Sequence, residues 1–354
     1  MGSQELFQST AFKTHSYRYN CIDKSILLPY FKRYYVSLYY RFIPAWLTAN
    51  FITLISTASI IVLLLLLLLV RFSSPYTLTL AIVICLHTYI VGDHLDGMQA
   101  KNTGTGSPLG EFLDHYLDVF NGAIVFYTIA LYLAPIPDGV FYLLLFLNGM
   151  AFAVTMYEEL ERKELYFGPV GTLEGVILII LFLLSWMIPA AREFWQSHLI
   201  LGYPKYWIAI VFVAVGYTAT IMDVMGRVRY ITLHFGVFLV AGVVLAVLLY
   251  LNHVPQFTGW LLFTLFSGEY IAKIMESHLV GTPKRYPDPV ILLFISVFCA
   301  LQFIREIPAA NLHALLMLAV LYLAFKVVYL FSRIVYSLRG YWIWINPEPL
   351  PSSN

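Results

Sequence analysis

Long stretches without a charged residue constrain this chain more than any other feature. Residues 51–70 carry no charge at all and include the unbroken apolar run 60–70. About 20 apolar residues, rising ~1.5 Å each, cross the ~30 Å hydrocarbon layer of a bilayer as a helix. Several similar runs follow, and only 12% of the residues are charged, roughly half the share in a soluble domain. The sequence therefore predicts a polytopic membrane protein rather than a soluble fold with one buried core helix.

Turn residues, mainly Gly and Pro, divide the apolar sequence into ten segments. The predicted spans cover residues 49–70, 77–100, 108–134, 138–161, 172–190, 206–226, 231–252, 257–279, 288–305 and 311–337. The predicted fold class is thus an all-α membrane protein with about ten transmembrane helices and an N-terminal interfacial helix. We divide it into a cytoplasmic N-terminal part (1–46), a transmembrane domain (47–338) and a short cytoplasmic tail (339–354).

The placement of Lys and Arg predicts the orientation of the spans, because cytoplasmic segments are enriched in these residues. With the N-terminus inside, 17 of the 21 Lys and Arg residues lie in cytoplasmic segments or adjoining helix ends, and four lie on the other side. We therefore expect both termini in the cytoplasm. Before the first span, residues 26–42 mix Lys32, Arg33 and Arg41 with Tyr and Phe. This mixture suits a helix in the headgroup layer; a solvated cytoplasmic helix is the alternative.

Four carboxylates occur on two consecutive predicted spans, where ionisable residues are costly and usually functional. The residues at helical spacing on these two faces are Asp93, Asp96, Gly97 and Ala100, then Gly110, Asp114 and Asp118. Spacings of three and four residues place side chains on one helix face. A short loop, residues 102–107, turns the second helix back along the first. The two acidic faces are therefore expected to meet at a similar depth.

Four neighbouring carboxylates repel each other unless a cation offsets their charge. Oxygen ligands favour Mg²⁺, Mn²⁺ or Ca²⁺ over zinc, and two such ions about 4 Å apart can clamp a phosphoryl group. Lys101 adds a positive charge where a phosphate would lie. Ser107 and Pro108 read as a helix cap and first helical residue, which exposes a positive helix end to an anion. A proton or cation pathway of a transporter is the alternative for such acids.

The acidic segment also matches a known signature. From Asp93 to Asp118 it reads D-x2-D-G-x2-A-K-x8-G-x3-D-x3-D. This resembles the signature of the CDP-alcohol phosphotransferase family, D-x2-D-G-x2-A-R-x8-G-x3-D-x3-D. Seven of the eight signature positions agree, and the departure is Lys101 in place of Arg. Lysine keeps the charge but lacks the two-pronged guanidinium geometry.

The resemblance extends to one branch of that family. Residues 96–118, DGMQAKNTGTGSPLGEFLDHYLD, are similar to the segment DGKQARRTxSSSPLGELFDHxxD of the choline/ethanolamine phosphotransferases. The upstream residues that also match are Pro44, Trp46, Asn50, Ile52 and Thr53. These specific matches cover about the first third of the chain.

The resemblance implies a set of roles. Two divalent ions, Mg²⁺ or Mn²⁺, would be held by Asp93, Asp96, Asp114 and Asp118. Substrate-binding positions would be Asn50, Gly97, Ala100, Lys101 and Gly110. The histidine that follows the third acid, His115, is implicated as the base that accepts a hydroxyl proton. If His115 is not the base, an acid such as Asp118 or Glu111 is the substitute. A core histidine bonded to Glu111, one turn earlier, is the alternative interpretation of His115.

Other polar residues in apolar surroundings are more ambiguous. Glu174 opens the fifth predicted span, where it either holds a cationic headgroup or caps the helix. The i, i+4, i+7 set Glu269, Lys273 and Glu276 reads as a structural ion-pair network, with substrate contact as the minority interpretation. Asp223 and Arg227 form a similar i, i+4 pair.

The resemblance implies transfer of a phospho-amino-alcohol from CDP-ethanolamine or CDP-choline to diacylglycerol, with release of CMP, at the cytoplasmic side of a lipid bilayer. The expected partners are those substrates and the bilayer. We expect no nucleic-acid partner, and the alternative to a single chain is a homodimer. Rival functions are a CDP-alcohol transferase with another donor or acceptor, and a cation-binding membrane protein with altered activity.

Overall fold

The structure is a computed structural model that describes residues 17, 20–70, 74–133, 135–198, 202–302 and 309–343. These residues form twelve helices and two short strands. The first helix, α1, consists of Leu28–Tyr30 and Ser37–Tyr40 joined by the π-helical turn Phe31–Val36. The others are α2 (Ala49–Leu69), α3 (Pro75–Thr103), α4 (Pro108–Tyr132), α5 (Asp138–Arg162), α6 (Thr172–Trp186), α7 (Pro189–Gln196), α8 (Trp207–Arg227), α9 (Leu233–Leu251), α10 (Gln256–Leu279), α11 (Pro289–Leu301) and α12 (Ala309–Leu338).

The prediction of an all-α membrane protein is confirmed. Six described helices are long and apolar enough to cross a bilayer: α2, α3, α5, α8, α9 and α12. A seventh span results if α6 and α7 are counted together. The number of ten spans stays a prediction. The polar content of α4 and α10 keeps them outside the six, and the described part of α11 is only 13 residues long.

The predicted span 172–190 is wrong in one respect, because the helix does not continue through it. The α6 helix ends at Trp186, and α7 leaves at an angle of 108°. Pro189 is the first residue of α7, and Ile188 before it has an extended backbone. A residue before proline is excluded from the helical region by the proline ring. Pro189 therefore marks the break between α6 and α7.

The described chain divides into two compact units, with divisions after residues 117, 165, 216 and 338. In the first unit, α2 and α3 pack along each other so closely that a Cβ on Gly92 would lie 2.6 Å from the Ser56 Cβ. The first unit also includes α1 and the strand β1 (Cys21–Asp23), which pairs with β2 (Leu165–Phe167). The Lys24 amide donates to the Phe167 carbonyl at 3.0 Å. These contacts hold the segment before the first span against the helices.

The second unit is arranged around α10. This helix packs against α5, α9 and α12, and most of its length is buried, including Glu269, Lys273 and Glu276. Polar groups can therefore occur along α10, because neighbouring helices rather than lipid surround them. The contact with α5 is tight at Gly149, where a Cβ would lie 2.8 Å from Phe263 Cε1 and 2.9 Å from Ser267 Oγ.

This close approach makes a prediction for stability. Gly149→Ala adds a methyl group that the α5–α10 contact cannot hold without a shift, which costs about 1–3 kcal/mol for overpacking. We expect the thermal midpoint of the purified protein in detergent to fall by several degrees, as measured by intrinsic fluorescence. Gly216→Ala is the matched control, because no atom lies within 4 Å of its added Cβ and alanine favours helix. Equal midpoints for the two variants would contradict the proposed packing.

Candidate active site

A tight reversal between α3 and α4 places their acidic faces together. Helix α3 ends at Thr103, and the next residue, Gly104, has a left-handed backbone (φ +64°), a conformation that glycine adopts without strain. Three residues later, Ser107 Oγ accepts a hydrogen bond from the Gly110 amide at 3.1 Å, and α4 begins at Pro108. The predicted cap and first helical residue are therefore confirmed.

Asp93 on α3 and Asp114 on α4 are the acids that this reversal brings together. One carboxylate oxygen of each lies within 4.8 Å of the other, and both side chains are half-buried. Asp118 follows Asp114 by one turn of the continuous α4 helix, so it lies on the same face. Two carboxylates this close repel unless a cation lies between them. The oxygen-only donor set of the two residues fits a hard divalent cation such as Mg²⁺ or Mn²⁺.

Asp96 occupies a more enclosed position. Its side chain is only 4% exposed, and its Oδ2 accepts a 2.6 Å hydrogen bond from Thr53 Oγ1 on α2. A carboxylate that accepts a short hydrogen bond is held in one orientation. Thr53 therefore positions Asp96, a role that the sequence analysis did not assign to it. The contact joins residues 43 positions apart, so no local pattern indicates it.

The predicted substrate-binding residues lie around these acids. Gly97, Ala100 and Lys101 continue along α3, with Gly97 and Lys101 exposed. A Cβ on Gly97 would meet no atom within 4 Å, so this side of α3 is open to a ligand. Across the reversal, a Cβ on Gly110 would lie 3.1 Å from Asn50 Oδ1. The structure thus places Asn50 beside Gly110, and their contact with a substrate stays a prediction.

His115 is buried on α4, with 9% of its side chain exposed. Its Nε2 lies 3.8 Å from Asp114 Oδ2, and a ring nitrogen lies within 4.8 Å of a Glu111 carboxylate oxygen. The same Glu111 carboxylate accepts a hydrogen bond at Oε2 from the Tyr17 hydroxyl. His115 is therefore next to the acidic face and flanked by two carboxylates, which suits a proton acceptor. Both the base and the core-histidine interpretations remain compatible with this position.

Glu174 caps a helix and fastens the N-terminal segment. One oxygen accepts from the Gly171 amide at 2.8 Å, which closes the first turn of α6. The other accepts from Ser25 Oγ at 2.5 Å and from the Leu27 amide at 3.0 Å. The capping interpretation of Glu174 is therefore confirmed, while contact with a substrate headgroup stays a prediction. No pattern in the sequence indicates the contact between Ser25 and Glu174.

Gln99 is a second anchor that the sequence analysis missed. Its side chain is fully buried between Asp96 and Lys101 on α3. Its Nε2 donates to the Leu47 carbonyl at 2.6 Å and to the Pro44 carbonyl at 3.2 Å, while its Oε1 accepts from Tyr40 Oη at 2.9 Å. Gln99 therefore holds the turn between α1 and α2 against the acidic part of α3.

The remaining charged residues of the second unit form ion pairs. Lys273 Nζ lies 2.6 Å from Glu269 Oε1 and donates to the Tyr286 carbonyl at 3.0 Å. Glu276 pairs with Arg333 and with Arg285, the latter at 3.4 Å. The Glu269–Lys273 pair of the predicted network is confirmed, whereas the partners shown for Glu276 are the two arginines.

The predicted Asp223–Arg227 pair is also present. Arg227 additionally binds Glu158 through two hydrogen bonds of 2.6 and 2.8 Å. These two hydrogen bonds join α8 to α5 within the second unit. The sequence did not indicate them, because the two residues are 69 positions apart.

Comparison with known proteins identifies the family that the acid-bearing segment resembles. Residues 46–217 match the family model for CDP-alcohol phosphatidyltransferase. This segment is therefore similar to the CDP-alcohol phosphatidyltransferases. It contains all four aspartates, His115, Lys101 and Glu174.

Curated relatives match about half of the chain. An uncharacterized CDP-alcohol phosphatidyltransferase class-I family protein of Schizosaccharomyces pombe is 32% identical over 174 residues, 47% of this chain and 45% of the relative. Mouse cholinephosphotransferase 1 is 31% identical over 180 residues, 49% of this chain and 45% of the relative. Choline/ethanolaminephosphotransferase 1 of Saccharomyces cerevisiae is 24% identical over 192 residues, which are 52% of this chain and 48% of the relative. The chain thus matches about half the length of these relatives.

The Thr53–Asp96 hydrogen bond makes a prediction for metal binding. Thr53→Val keeps the shape of the side chain but removes the donor, and we expect Mn²⁺ to bind about 10- to 100-fold more weakly, as for other residues that orient a metal ligand. Electron paramagnetic resonance titration of the purified protein measures this affinity. Thr88→Val on α3, the helix that carries Asp96, is the control, because that exposed hydroxyl bonds to the Ile84 carbonyl. Wild-type Mn²⁺ affinity in Thr53→Val would show that Thr53 does not position a metal ligand.

Proposed function

We propose that this protein transfers phosphoethanolamine or phosphocholine from its CDP ester to the hydroxyl of diacylglycerol and releases CMP. The observation that carries the proposal is the approach of Asp93 and Asp114 within a segment that matches the CDP-alcohol phosphatidyltransferase model. Relatives named as cholinephosphotransferase and choline/ethanolaminephosphotransferase support the choice of donor. An acid-lined site on two apolar helices suits a lipid acceptor, which reaches the protein from the bilayer.

The aspartates define the donor side of the proposed site. Asp93, Asp96, Asp114 and Asp118 would hold two divalent ions, which supply electrostatic stabilisation of the pyrophosphate and of the departing CMP. Lys101 would contact a phosphate oxygen as a point charge. The open surface at Gly97 leaves room for the nucleotide next to α3. We place the opening of this site at the cytoplasmic side, following the Lys and Arg distribution.

The transfer itself needs one proton acceptor. The diacylglycerol hydroxyl oxygen forms a bond to the phosphorus that carries the amino alcohol, and the bond from that phosphorus to the CMP oxygen breaks. The hydroxyl proton moves to His115, whose ring lies beside the acidic face. Glu111 would hold the orientation of this ring from one turn earlier, and Tyr17 donates to that carboxylate. Asp118 is the substitute base on the same helix.

A second candidate follows from Lys101, which departs from the signature arginine. A lysine provides one charge without bidentate hydrogen bonds, which suits a transferase with another donor or acceptor, or a relative of altered activity. The donor profile of the purified protein separates these candidates from the proposed function.

The first test measures CMP release with a panel of donors. In the presence of diacylglycerol and Mg²⁺ or Mn²⁺, we expect release from CDP-choline or CDP-ethanolamine and none from CDP-diacylglycerol. EDTA should abolish the reaction, as should Asp93→Asn, because the substitution removes a carboxylate charge from the acidic pair. Gly175→Ala serves as the control, since its added Cβ meets no atom within 4 Å. Turnover that persists in EDTA would refute the divalent-ion part of the proposal.

The second test concerns His115. General-base assistance contributes about 10²–10⁴-fold in rate, so His115→Ala should lower kcat by that factor while the affinity for the CDP-alcohol is retained. Tyr116→Phe is the matched control, because Tyr116 is the equally buried neighbour on α4 and phenylalanine preserves its ring. Turnover, donor affinity and thermal midpoint are measured on the same preparations. A stably folded His115→Ala protein with near-normal kcat would transfer the role of base to Asp118.

A further inference from the structure

The segment that leads into the first span carries positive charges and, from residue 24 onward, no negative ones. Residues 24–92 contain no Asp or Glu. Within this stretch Lys32, Arg33 and Arg41 are all exposed along α1 and its C-terminal end. Exposed basic residues without an intervening acid produce a positive potential that attracts anions. The outer side of α1 therefore has a charge that an anionic surface would complement.

Several aromatic side chains of this segment are exposed as well. The exposed fractions are 65% for Tyr30, 61% for Tyr34 and 84% for Phe42. The Arg33 guanidinium lies over the Tyr34 ring, 5.3 Å from its centroid. We call Tyr30, Lys32, Arg33, Tyr34, Arg41 and Phe42 the basic–aromatic face. Such a mixture is characteristic of helices in the headgroup layer, where rings enter the boundary with the acyl chains and Lys or Arg remain among the phosphates.

The opposite side of α1 is attached to α3. Val36 is fully buried, and the Tyr35 hydroxyl lies 2.7 Å from His87 Nε2 on α3. Burial raises the pKa of Tyr35 to about 12, so its hydroxyl remains protonated at neutral pH. Phe31 contacts the His94 ring edge-on, with centroids 5.3 Å apart. Since His94 is next to Asp93, the attachment of α1 reaches the acidic part of α3.

We propose that the basic–aromatic face binds the headgroups of anionic phospholipids in the leaflet next to which α1 lies. Lipid bound there holds α1 against α3 and so supports the position of Asp93 and the activity of the site. An acidic soluble protein would match the charges but would not account for the exposed rings of Tyr30 and Phe42. The activity part of this proposal rests on the proposed function, whereas the lipid-binding part does not.

The test uses the full-length protein in phosphatidylcholine nanodiscs with and without phosphatidylserine. Electron paramagnetic resonance of spin-labelled lipids measures the preference of the protein boundary for phosphatidylserine over phosphatidylcholine. We expect a preference that decreases with added salt, because salt screens exposed charges. The variant Lys32→Gln/Arg33→Gln/Arg41→Gln should lose most of it. The charge-preserving variant Lys32→Arg/Arg33→Lys/Arg41→Lys should retain it.

The matched control removes the same charge elsewhere. Lys163→Gln/Arg229→Gln/Arg339→Gln replaces three exposed basic residues outside α1. We expect this control to keep the wild-type lipid preference. An equal loss in both triple variants would show that net charge rather than this face selects the lipid. No phosphatidylserine preference in the wild type, or an unchanged one in the α1 variant, would overturn the proposal directly.

Activity is measured in the same nanodiscs. CMP release by the wild type should rise several-fold with phosphatidylserine, and the α1 variant should show little of that rise while its thermal midpoint is unchanged. If the wild type prefers phosphatidylserine but its CMP release rises with phosphatidylserine no more than that of the α1 variant, the link between α1 and the site is overturned. Absence of CMP release from every CDP-alcohol would instead count against the proposed function, and the spin-label measurement would still decide on lipid binding.

Discussion

The cost of a charge away from water governs how this chain is built. A carboxylate inside the apolar part of a membrane protein requires a counter-charge or a cation. Most of the acids described in the second unit meet this requirement with a base: Glu158 with Arg227, Glu269 with Lys273, and Glu276 with Arg333. The acids at the α3–α4 reversal follow another pattern, because Asp93 and Asp114 approach each other. Two neighbouring carboxylates repel each other and so lower the stability of the fold, and a cation bound between them would offset that repulsion.

The same cost explains which helices carry the polar residues. Helix α10 combines Glu269, Lys273 and Glu276 with almost complete burial, since α5, α9 and α12 surround it. Hydropathy alone would not select such a helix as a span, although its 24 residues are long enough to cross a bilayer. The close contact at Gly149 is part of this arrangement, because small residues let helix backbones approach without a hydrophobic driving force. The polar residues along α10 therefore mark a helix that its neighbours shield.

Local patterns in the sequence predicted the features that depend on neighbouring residues. Helix spacing anticipated the Asp223–Arg227 and Glu269–Lys273 pairs, and Ser107-Pro108 anticipated the start of α4. Contacts between distant segments carried no such pattern. Thr53 with Asp96, Ser25 with Glu174, and Gln99 with the Leu47 carbonyl join residues 43 to 149 positions apart. The acids of the candidate site could thus be named from the sequence, whereas the residues that orient them required the packing of α1, α2 and α6 around α3.

The N-terminal segment is the part whose role changes most once the structure is considered. From composition it is a basic, aromatic helix at the membrane surface. In the fold it is fastened at three points: Ser25 to Glu174, Tyr35 to His87, and Tyr40 to Gln99. A catalytic arrangement must be held within about 0.5 Å of its working geometry, and carboxylates on two helices joined by a short loop need outside support to meet that tolerance. Because Tyr35 and Tyr40 both attach to α3 on either side of Asp93 and Asp96, α1 restrains the helix that carries two of the four aspartates. The basic–aromatic face and the acidic part of α3 are therefore connected through a single helix, α1.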